Sequence, residues 1–292
     1  MNVIKLKRVM SEEKAALLKG KFLKEEKHIL HPIIREDTDA YDLSGNMLFR
    51  FRKNVIPIDV LMQGVDNFKY SIELTEGRGI TSGSSHKRIL KDGTVSKITV
   101  GNKVLSGNVG FMDSNAMVSY CRLTAFGRRH FEKYEKGIPF VKRIDELYKQ
   151  LCPEHYSTQK MFAEATNPSY VIGDTAFTTV TVNQDFRTAC HQDSGDLPDG
   201  FGNLIAYREG NWSGCYFTLP EWGVGIELKN GDALFVDVHN CHGNTEFKNF
   251  DENKGDKRIS FVLYYREQMI KCKSPSEELK TIKKDKNGYY RL

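Results

Sequence analysis

The chain has 292 residues, of which 39% are hydrophobic, 11% aromatic and 28% charged, with a formal net charge of +5. These values are typical of an ordinary soluble globular protein with one large domain, or one domain and a smaller annex. The mild positive charge permits a polyanionic partner without requiring one. No stretch approaches the roughly 20 apolar residues of a membrane span. The first twenty residues also lack the apolar core of a secretory signal.

Six cysteines stand singly along the chain, with no CxxC pair. In a chain of this length a disulfide framework is not expected, and isolated cysteines favour a reduced, intracellular compartment. Two of them, Cys190 and Cys241, each directly precede a histidine. We interpret these two as small buried side chains beside a site rather than as metal ligands.

The N-terminal half has three segments with a readable pattern. Residues 11–27 predict a short, highly charged and solvated helix. Residues 76–88 are rich in glycine and serine and end in basic residues, which predicts a mobile loop of the kind that sometimes covers an active site. Apolar residues recur at helical spacing within 128–151. There Gly137-Ile138-Pro139 predicts two helical pieces, the second starting near Pro139.

From Tyr170 onward the chain consists of short runs of β-branched and aromatic residues bounded by glycine, asparagine, aspartate or proline. The runs indicate about eight strands, and Lys229-Asn230-Gly231-Asp232 is a strong hairpin turn. Helices followed by strands at short spacing predict an α+β, mainly β fold, in which helices support a β-sandwich or jelly roll.

The strongest chemical pattern is His191-Gln192-Asp193, followed 51 residues later by His242. Residues i and i+2 of an extended chain point to the same side, so His191 and Asp193 can bind one ion. Two imidazoles and one carboxylate suit a non-haem Fe(II) centre with open positions for other ligands. His239 is a rival for the third position. In an extended segment His239 and His242 face opposite sides, so only one of them can ligate, and the spacing leaves the choice open.

Arg258 opens the strand RISFVLYY, 16 residues beyond His242. A guanidinium group forks onto a carboxylate and keeps its charge in a partly dry pocket. Arg258 is therefore a candidate anchor for the distal carboxylate of 2-oxoglutarate. Ser260 faces the same side by strand parity and is a candidate for a second hydrogen bond.

Three segments, TVNQDFRTACHQDSGDLPDGFGNL, GDALFVDVHNCHGNTEF and RISFVLYYRE, resemble the oxygenase core of the ten-eleven translocation and base-J-binding (Tet/JBP) family. They are more similar to the base-J branch with its phage and bacterial relatives. The resemblance spans about residues 105–270, beginning with SGNVGFMDSN and CRLTAFGRRHFEKY. It implies a double-stranded β-helix, a jelly-roll-like barrel that oxidises the 5-methyl group of a pyrimidine flipped out of DNA. Fe(II), 2-oxoglutarate and dioxygen are the implied cofactors.

Carried over by position, the resemblance implies His191, Asp193 and His242 as the iron ligands and Arg258 as the 2-oxoglutarate arginine. His239 falls on a non-ligand position, so the resemblance favours His242. The expected organisation is an N-terminal segment, 1–104, that braces or extends the core, a dioxygenase domain over 105–270, and a basic C-terminal tail over 271–292.

The choice of base rests on two further positions. Asp196 and Arg266 stand where the ten-eleven translocation branch contacts cytosine with an asparagine and a histidine. Thymine offers an N3–H donor and an O4 acceptor, and cytosine has them reversed. A carboxylate acceptor and a guanidinium donor therefore favour thymine over 5-methylcytosine. The alternative is that Asp196 and Arg266 pair with each other, or support the fold, and never meet the base.

Extruding a base from a duplex requires side chains that grip phosphates. The basic candidates are Arg78, Lys87, Arg88, Arg128, Arg129 and Arg187. An extruded base could also stack on an aromatic side chain. The aromatic candidates are Phe186, Phe201, Trp212 and Tyr216.

Two other functions are compatible with the sequence. One is the same chemistry on a free nucleotide, a small metabolite or a protein side chain. The other is a non-catalytic DNA-binding module that keeps the barrel, which the intact ligand set disfavours. We expect no membrane and no obligate protein partner. The expected location is the cytoplasm of a bacterial or phage-infected cell, or the nucleus if the source is eukaryotic.

Overall fold

A computed structural model describes residues 1–83, 85–115 and 118–282, without the side chains of residues 85, 86, 88 and 97–99. The end of the predicted basic tail, from residue 283 on, lies outside the described residues. No helix within the described ranges is long and apolar enough to cross a membrane.

The described chain contains seventeen strands. They are β1 (Asn2–Leu6), β2 (Thr38–Asp42), β3 (Met47–Arg52), β4 (Glu73–Thr75), β5 (Ser85–Ile89), β6 (Val95–Gly101), β7 (Val104–Met112), β8 (Arg122–Leu123), β9 (Thr179–Gln184), β10 (Gly202–Glu209), β11 (Ser213–Gly214), β12 (Phe217–Leu219), β13 (Val224–Ile226), β14 (Ala233–Val236), β15 (Gly243–Asn244), β16 (Phe247–Lys248) and β17 (Lys257–Tyr264).

The described chain also contains seven α-helices, six of them between strands and the seventh after β17. They are α1 (Glu12–Ala16), α2 (Glu25–His28), α3 (Ile58–Phe68), α4 (Ala125–Arg129), α5 (Phe131–Leu151), α6 (Pro153–Ala165) and α7 (Pro275–Lys280).

One large sheet has the strand order β1-β2-β3-β14-β10-β17-β9-β7-β4, with β8 paired to β7. All its pairings are antiparallel except β1 with β2. A small sheet, β13-β12-β15, faces it, and this arrangement is the double-stranded β-helix that the sequence predicted. The sequence predicted a tight hairpin turn at Lys229–Asp232. A tight turn forms there, in which the Asp232 carboxylate accepts the Lys229 backbone N–H at 2.8 Å. The hairpin is wrong, because β13 belongs to the small sheet and β14 to the large one, so the turn connects the two sheets.

Helices cover one face of the large sheet because one side of each central strand is apolar. Ile259, Phe261 and Leu263 of β17 point into a core shared with α3 and α5. There Phe140 packs on Phe261 at a ring-centroid distance of 5.0 Å. A second core, which contains Leu219, Val236 and neighbouring apolar residues, fills the space between the large and small sheets. The site lies between these two sheets.

The N-terminal segment does more than brace the barrel with helices. Strands β1, β2 and β3 extend one edge of the large sheet, because β3 pairs with β14. Strand β4 lies at the other edge beside β7. The boundary at residue 104 therefore separates parts of one continuous sheet.

The prediction of one solvated helix over residues 11–27 is wrong. Helix α1 ends at Ala16, and α2 begins only at Glu25. Between them Leu23 is fully buried, and with Ala15 it packs on Cys190 and Cys241. Two apolar contacts with the barrel therefore outweigh the helical propensity of a short charged segment.

The prediction of a break at Gly137-Ile138-Pro139 is also wrong, because α5 runs without interruption through Pro139. Gly137 lies against Phe68, and the packing of Phe68 and Phe140 holds α5 to α3 on both sides of the proline. Tertiary packing therefore keeps the helix continuous despite the hydrogen bond that proline cannot make.

A disulfide joins Cys121 and Cys272, which the sequence analysis did not expect. The two residues are 151 positions apart and have no motif spacing, so the pairing was not readable from the sequence. The bond attaches the C-terminal segment before α7 to the edge of the core. Glu278 of α7 reinforces this attachment by accepting the Cys121 backbone N–H at 2.8 Å.

Candidate active site

A cavity of about 570 Å³ opens between the two sheets. Its floor is formed by every second residue of β17, on the side of the strand that faces away from the helical core. Each of these side chains is polar or small. These residues are Arg258, Ser260, Val262 and Tyr264, and Arg266 continues the series beyond the strand. The strand period of two therefore places a core residue and a cavity residue in strict alternation.

The three predicted iron ligands meet at one wall of this cavity. One ligand atom from each of His191, Asp193 and His242 lies within 4.8 Å of the other two. His191 Nε2 is 3.3 Å from Asp193 Oδ1, and His242 Nε2 is 3.5 Å from Asp193 Oδ2. The two histidines are brought together by mutual backbone hydrogen bonds of 2.8 Å in an antiparallel bridge.

The orientation of both imidazoles is fixed from behind. Nδ1 of His191 is 2.8 Å from the Ala189 carbonyl, and Nδ1 of His242 is 3.0 Å from the Asn240 carbonyl. Because each Nδ1–H donates to a carbonyl, each Nε2 keeps its lone pair for an ion. Phe217 stacks on the His242 ring at a centroid distance of 5.3 Å and restricts its rotation.

The electrostatics of the three side chains favour a carboxylate between two basic groups. Without a bound ion, an Nε2 that takes up a proton donates it to Asp193. Burial alone would raise the pKa of Asp193, but the charge of His191 and these hydrogen bonds outweigh it and lower that pKa. Burial alone would lower the pKa of His191, but Asp193 raises it above the ordinary value. Such a donor set, with two neutral-capable imidazoles and one ionised carboxylate, fits a divalent cation.

The rival histidine points elsewhere. His239 Nδ1 bonds Asp237 Oδ1 at 3.0 Å, and this contact raises the pKa of His239. His239 does not line the cavity and is not part of the cluster of ligand atoms within the described chain. The geometry therefore supports the preference for His242 as the third ligand.

Arg258 lies at one end of the cavity with only 7% of its surface exposed. Its backbone N–H donates to Asp185 Oδ1 at 2.6 Å, which orients this part of β17. Within the part of the chain that the structure describes, no acidic side chain forms an ion pair with the Arg258 guanidinium. A buried cation without a protein counterion is costly, so an anionic ligand is expected beside it. Ser260 lies two residues on and faces the same cavity.

The opposite end of the cavity holds Asp196 and Arg266. They form a backbone bridge, but their side chains are not ion-paired. Arg266 Nε instead donates to Asp113 Oδ1 at 2.6 Å, which contradicts the alternative of an Asp196–Arg266 ion pair. Burial raises the pKa of Asp196 well above its ordinary value, and the nearby Asp193 adds to this effect. Asp196 therefore faces the cavity as a carboxyl group without a strong counterion.

Arg78 was predicted as a candidate phosphate contact, and this role stays a prediction, but its side chain is engaged inside the cavity. The side chain enters the cavity from the segment before β5. Its Nε donates to Ser106 at 2.6 Å, and Nη2 donates to the Gly107 carbonyl and to Asn108, both at 3.0 Å. Burial lowers the pKa of Arg78. The cavity thus contains a third arginine, held by neutral acceptors only.

The other basic candidates for phosphate contact differ in exposure and in their partners. Arg187 is half-buried, bonds the Leu23 carbonyl and pairs with Glu246, so it holds the N-terminal segment to the barrel, and its phosphate contact stays a prediction. Arg129 is exposed but pairs with Glu73 at 3.0 Å. Arg128 and Lys87 are exposed. The side chain of Arg88 lies outside the described residues.

Of the four aromatic candidates for base stacking, only Phe186 lines the cavity. Phe201 stacks on His155 away from the site. Trp212 is buried against Phe247 and Phe250 and lies beneath Arg208. Tyr216 is buried too and does not line the cavity. The prediction is therefore wrong for these three, whose rings stabilise the barrel.

Several cavity residues were not singled out from the sequence. Thr181 and Asn183 of β9 face the cavity, and Thr181 Oγ1 is 3.2 Å from the Tyr264 hydroxyl on β17. Their polar side chains alternate with the buried Val180 and Val182, so strand parity was a signal that could have identified them. Asp113, the partner of Arg266, had no comparable signal because its contact joins residues 153 positions apart.

Cys190 and Cys241 lie directly behind the two histidines. Both are buried, and their Sγ atoms are 2.8 Å apart. Strand parity turns them away from the cavity, toward Ala15 and Leu23. This placement agrees with their interpretation as buried side chains beside the site.

Comparison with known proteins places the cavity in a family context. The Tet_JBP family model, described as the oxygenase domain of the 2OGFeDO superfamily, matches residues 111–267. The chain is 28% identical to "Thymine dioxygenase JBP1" of Trypanosoma brucei brucei over 259 residues, which are 88% of the chain and 29% of that protein. It is 37% identical to "Bifunctional helicase and thymine dioxygenase JBP2" of Leishmania tarentolae over 163 residues, 55% of the chain and 14% of that protein.

The chain thus spans less than a third of the length of these curated relatives. Among solved structures, "NgTET1 in complex with 5mC DNA" superimposes with a TM-score of 0.58. The superposition covers 95% of this chain and 89% of that one, at 13% sequence identity. At this identity the likeness shows a common fold.

Proposed function

The chain belongs to the Tet/JBP family of oxygenases, and from this membership and its cavity we propose that it hydroxylates the 5-methyl group of thymine in DNA. The observation that carries the proposal is the cavity itself. It combines the triad of His191, Asp193 and His242 with the buried Arg258, which lacks an acidic partner in the described chain.

The triad fits Fe(II). Two Nε2 atoms and one carboxylate converge, and the hydrogen bonds at both Nδ1 atoms set the ring orientation in advance. When bound, Fe(II) supplies dioxygen activation, with 2-oxoglutarate as the source of two electrons. Overall, a methyl group, dioxygen and 2-oxoglutarate are converted to a hydroxymethyl group, succinate and carbon dioxide. The protein contributes positioning and the exclusion of water.

Arg258 and Ser260 are proposed to hold the distal carboxylate of 2-oxoglutarate. The guanidinium forms two parallel hydrogen bonds with a carboxylate, and the serine hydroxyl adds a third. Arg78 adds a further positive charge to a cavity that must accept a dianion, while the neutral acceptors around it fix its position. Both arginines therefore favour an acidic co-substrate.

A pyrimidine would enter the same cavity beside Asp196 and Arg266. The guanidinium donors of Arg266 suit the O4 acceptor of thymine, and Asp196 supplies an acceptor for N3–H. The two curated relatives are both named thymine dioxygenases, which also favours this base. Because the methyl group of a paired thymine is not accessible to the ligand triad, the base must first leave the stack, at a cost of a few kcal/mol.

The experiment is to measure succinate formation from 2-oxoglutarate with three DNAs of one sequence. One contains thymine, one contains uracil in its place, and one contains uracil together with 5-methylcytosine. We expect stimulation by thymine DNA and not by uracil DNA, which lacks only the methyl group. Stimulation by 5-methylcytosine DNA alone would show that the protein is a dioxygenase whose substrate is 5-methylcytosine instead of thymine.

Two results would support a different function. If no DNA stimulates succinate formation but a free nucleotide, small metabolite or peptide does, the cavity serves the same chemistry on another substrate. If purified protein binds duplex DNA but neither Fe(II) nor 2-oxoglutarate, the chain is a binding module without catalysis.

A further inference from the structure

The hairpin of β5 and β6 protrudes from the rim of the cavity. Its pairing runs from Ser85 opposite Gly101 to Ile89 opposite Val95. At about 3.3 Å per residue, the tip stands roughly 13–17 Å beyond its base. A two-stranded β-ribbon of this kind fits the major groove of a DNA duplex.

The base of the hairpin is fastened to the segment that lines the cavity. Asn102 donates its backbone N–H to Ser82 Oγ at 2.7 Å and its side-chain amide to the Ser82 carbonyl at 2.8 Å. Gly101 donates to the Glu76 carbonyl at 3.1 Å and packs so closely on Gly79 that a Cβ would not fit. Because Ile80 and Thr81 of the same segment line the cavity, the hairpin is held in a fixed position beside its mouth.

The end of the hairpin carries exposed apolar residues: Ile89 and Val95 form its last strand pair, and Leu90 opens the polar turn that follows. Ile89 is 77% exposed, Leu90 47% and Val95 62%. Single exposed apolar residues are common, whereas these three lie within seven residues of one hairpin, with Ile89 directly opposite Val95. The turn is also ordered, since Asp92 Oδ1 accepts both the N–H and the hydroxyl of Thr94.

Charge surrounds this apolar tip. Residues 85–103 contain five basic residues and one acidic residue, a net charge of +4 in a chain whose total is +5. Lys87 precedes Ile89 and Lys91 follows Leu90, and both lysines are exposed. Flanking lysines suit a polyanion, and an apolar tip suits the space between stacked bases.

We propose that the β5–β6 hairpin is a wedge that enters the DNA duplex beside the target nucleotide, with Ile89, Leu90 and Val95 filling the space that the extruded base leaves. Lys87 and Lys91 contact the phosphates on either side. This inference rests on the proposed action on DNA and names the element that opens the duplex. Apolar side chains inserted between base steps are a known way to hold a helix open.

The test compares the double variant Ile89→Ser/Val95→Ser with the control Leu43→Ser, which changes an equally exposed residue (65%) in the turn between β2 and β3. Each protein is assayed on duplex and on single-stranded DNA of one sequence. We expect the double variant to lose about tenfold of its duplex activity while single-strand activity stays within about twofold, because only the duplex requires opening. The control should match the wild type on both.

Binding provides an independent readout. A duplex with 2-aminopurine beside the target thymine should brighten when wild-type protein binds, and the double variant should not cause this increase. Lys87→Ala/Lys91→Ala should reduce the slope of log affinity against log salt by about two. The melting temperature of each variant is measured as a control. A value equal to that of the wild type excludes a folding defect as the cause of lost activity.

The outcomes separate the wedge from the proposed function. Equal loss on both DNA forms, or no loss on duplex, would overturn the wedge and leave DNA oxidation standing. Wild-type protein that acts on no DNA and causes no fluorescence change would overturn both. A wild-type dimer that the double variant converts to a monomer would assign the apolar tip to self-association and also overturn the wedge.

Discussion

Each imidazole of the triad is fixed by a hydrogen bond from Nδ1 to a backbone carbonyl two residues earlier in the chain. This arrangement requires only extended backbone around His191 and His242, which the bridge between them provides. His239, three residues before His242, is instead held by Asp237. The difference between ligand and non-ligand is therefore local and testable.

We predict that His242→Ala weakens Fe(II) binding by at least about a hundredfold, since loss of a mere supporting residue already costs 10–100-fold. His239→Ala should stay close to the wild type. Anaerobic titration with Fe(II), followed by calorimetry, measures both. Tight binding by the His242 variant together with loss in the His239 variant would reverse the ligand assignment.

Arg258 is the second residue on which the proposal depends. We predict that Arg258→Met raises the dissociation constant of 2-oxoglutarate by about a hundredfold, because a buried carboxylate loses its charged partner. Lys257→Ala, a change at the adjacent position on the opposite face of β17, is the control and should have no effect. Equilibrium binding of 2-oxoglutarate to the metal-loaded protein is the measurement, and an unchanged constant would remove Arg258 from the site.

Asp196 gives a prediction for the pH dependence of stability. Because its pKa in the folded protein is raised, the folded state holds the proton more tightly than the unfolded state. The carboxyl group therefore destabilises the protein progressively as pH rises from about 4, the ordinary aspartate pKa, through the folded pKa. Asp196→Asn removes this term.

In thermal unfolding of metal-free protein, the melting temperature of Asp196→Asn should exceed that of the wild type by a margin that grows between pH 5 and pH 8. Asp199→Asn, in the same loop but exposed, is the control and should show no such trend. A margin that is constant or shrinks with rising pH would contradict the raised pKa.

At the scale of elements, the packing of α5 on α3 depends on one glycine. A Cβ at Gly137 would lie 2.1 Å from a ring carbon of Phe68. Phe68 is fully buried and surrounded by the rings of Phe126, Phe140 and Phe261, so it has no space to move. Tight packing here keeps the helical layer on the large sheet.

We predict that Gly137→Ala lowers the free energy of unfolding by about 1–3 kcal/mol, since overpacking outweighs the gain of about 1 kcal/mol in helix propensity. Gly195→Ala, where no atom lies within 4 Å of the added methyl group, is the matched control for stability. Chemical denaturation measures both. A stabilised Gly137 variant would show that the two helices can separate at little cost.

The elements also show what the sequence could predict. The alternation in RISFVLYY predicted that Arg258 and Ser260 share a face, and the structure puts both in the cavity because strand parity is a local property. The continuity of α5 and the burial of Leu23 depend on contacts with distant residues, so local propensity predicted them wrongly. Arg78 reached the cavity through a segment that the sequence described only as a glycine-rich loop.

For the whole molecule, the motifs and their resemblance predicted both the double-stranded β-helix and the convergence of His191, Asp193 and His242. The structure brings these three side chains together because the segments of His191 and His242 lie side by side. The N-terminal strands were not predicted as part of the large sheet, because pairing of β3 with β14 joins residues about 180 positions apart. The Cys121–Cys272 disulfide was missed for the same reason. Long-range contacts leave no periodic pattern in a single sequence.

The proposed reaction adds oxygen to the 5-methyl group of thymine in DNA. The direct measurement is mass spectrometry of nucleosides from thymine-containing duplex DNA, incubated with the protein, Fe(II), 2-oxoglutarate and ascorbate, with Asp193→Ala as the inactive control. We expect thymidine to gain one oxygen in the wild-type reaction and none with Asp193→Ala. Unmodified thymidine, with 2-oxoglutarate consumed on a different substrate, would contradict the claim.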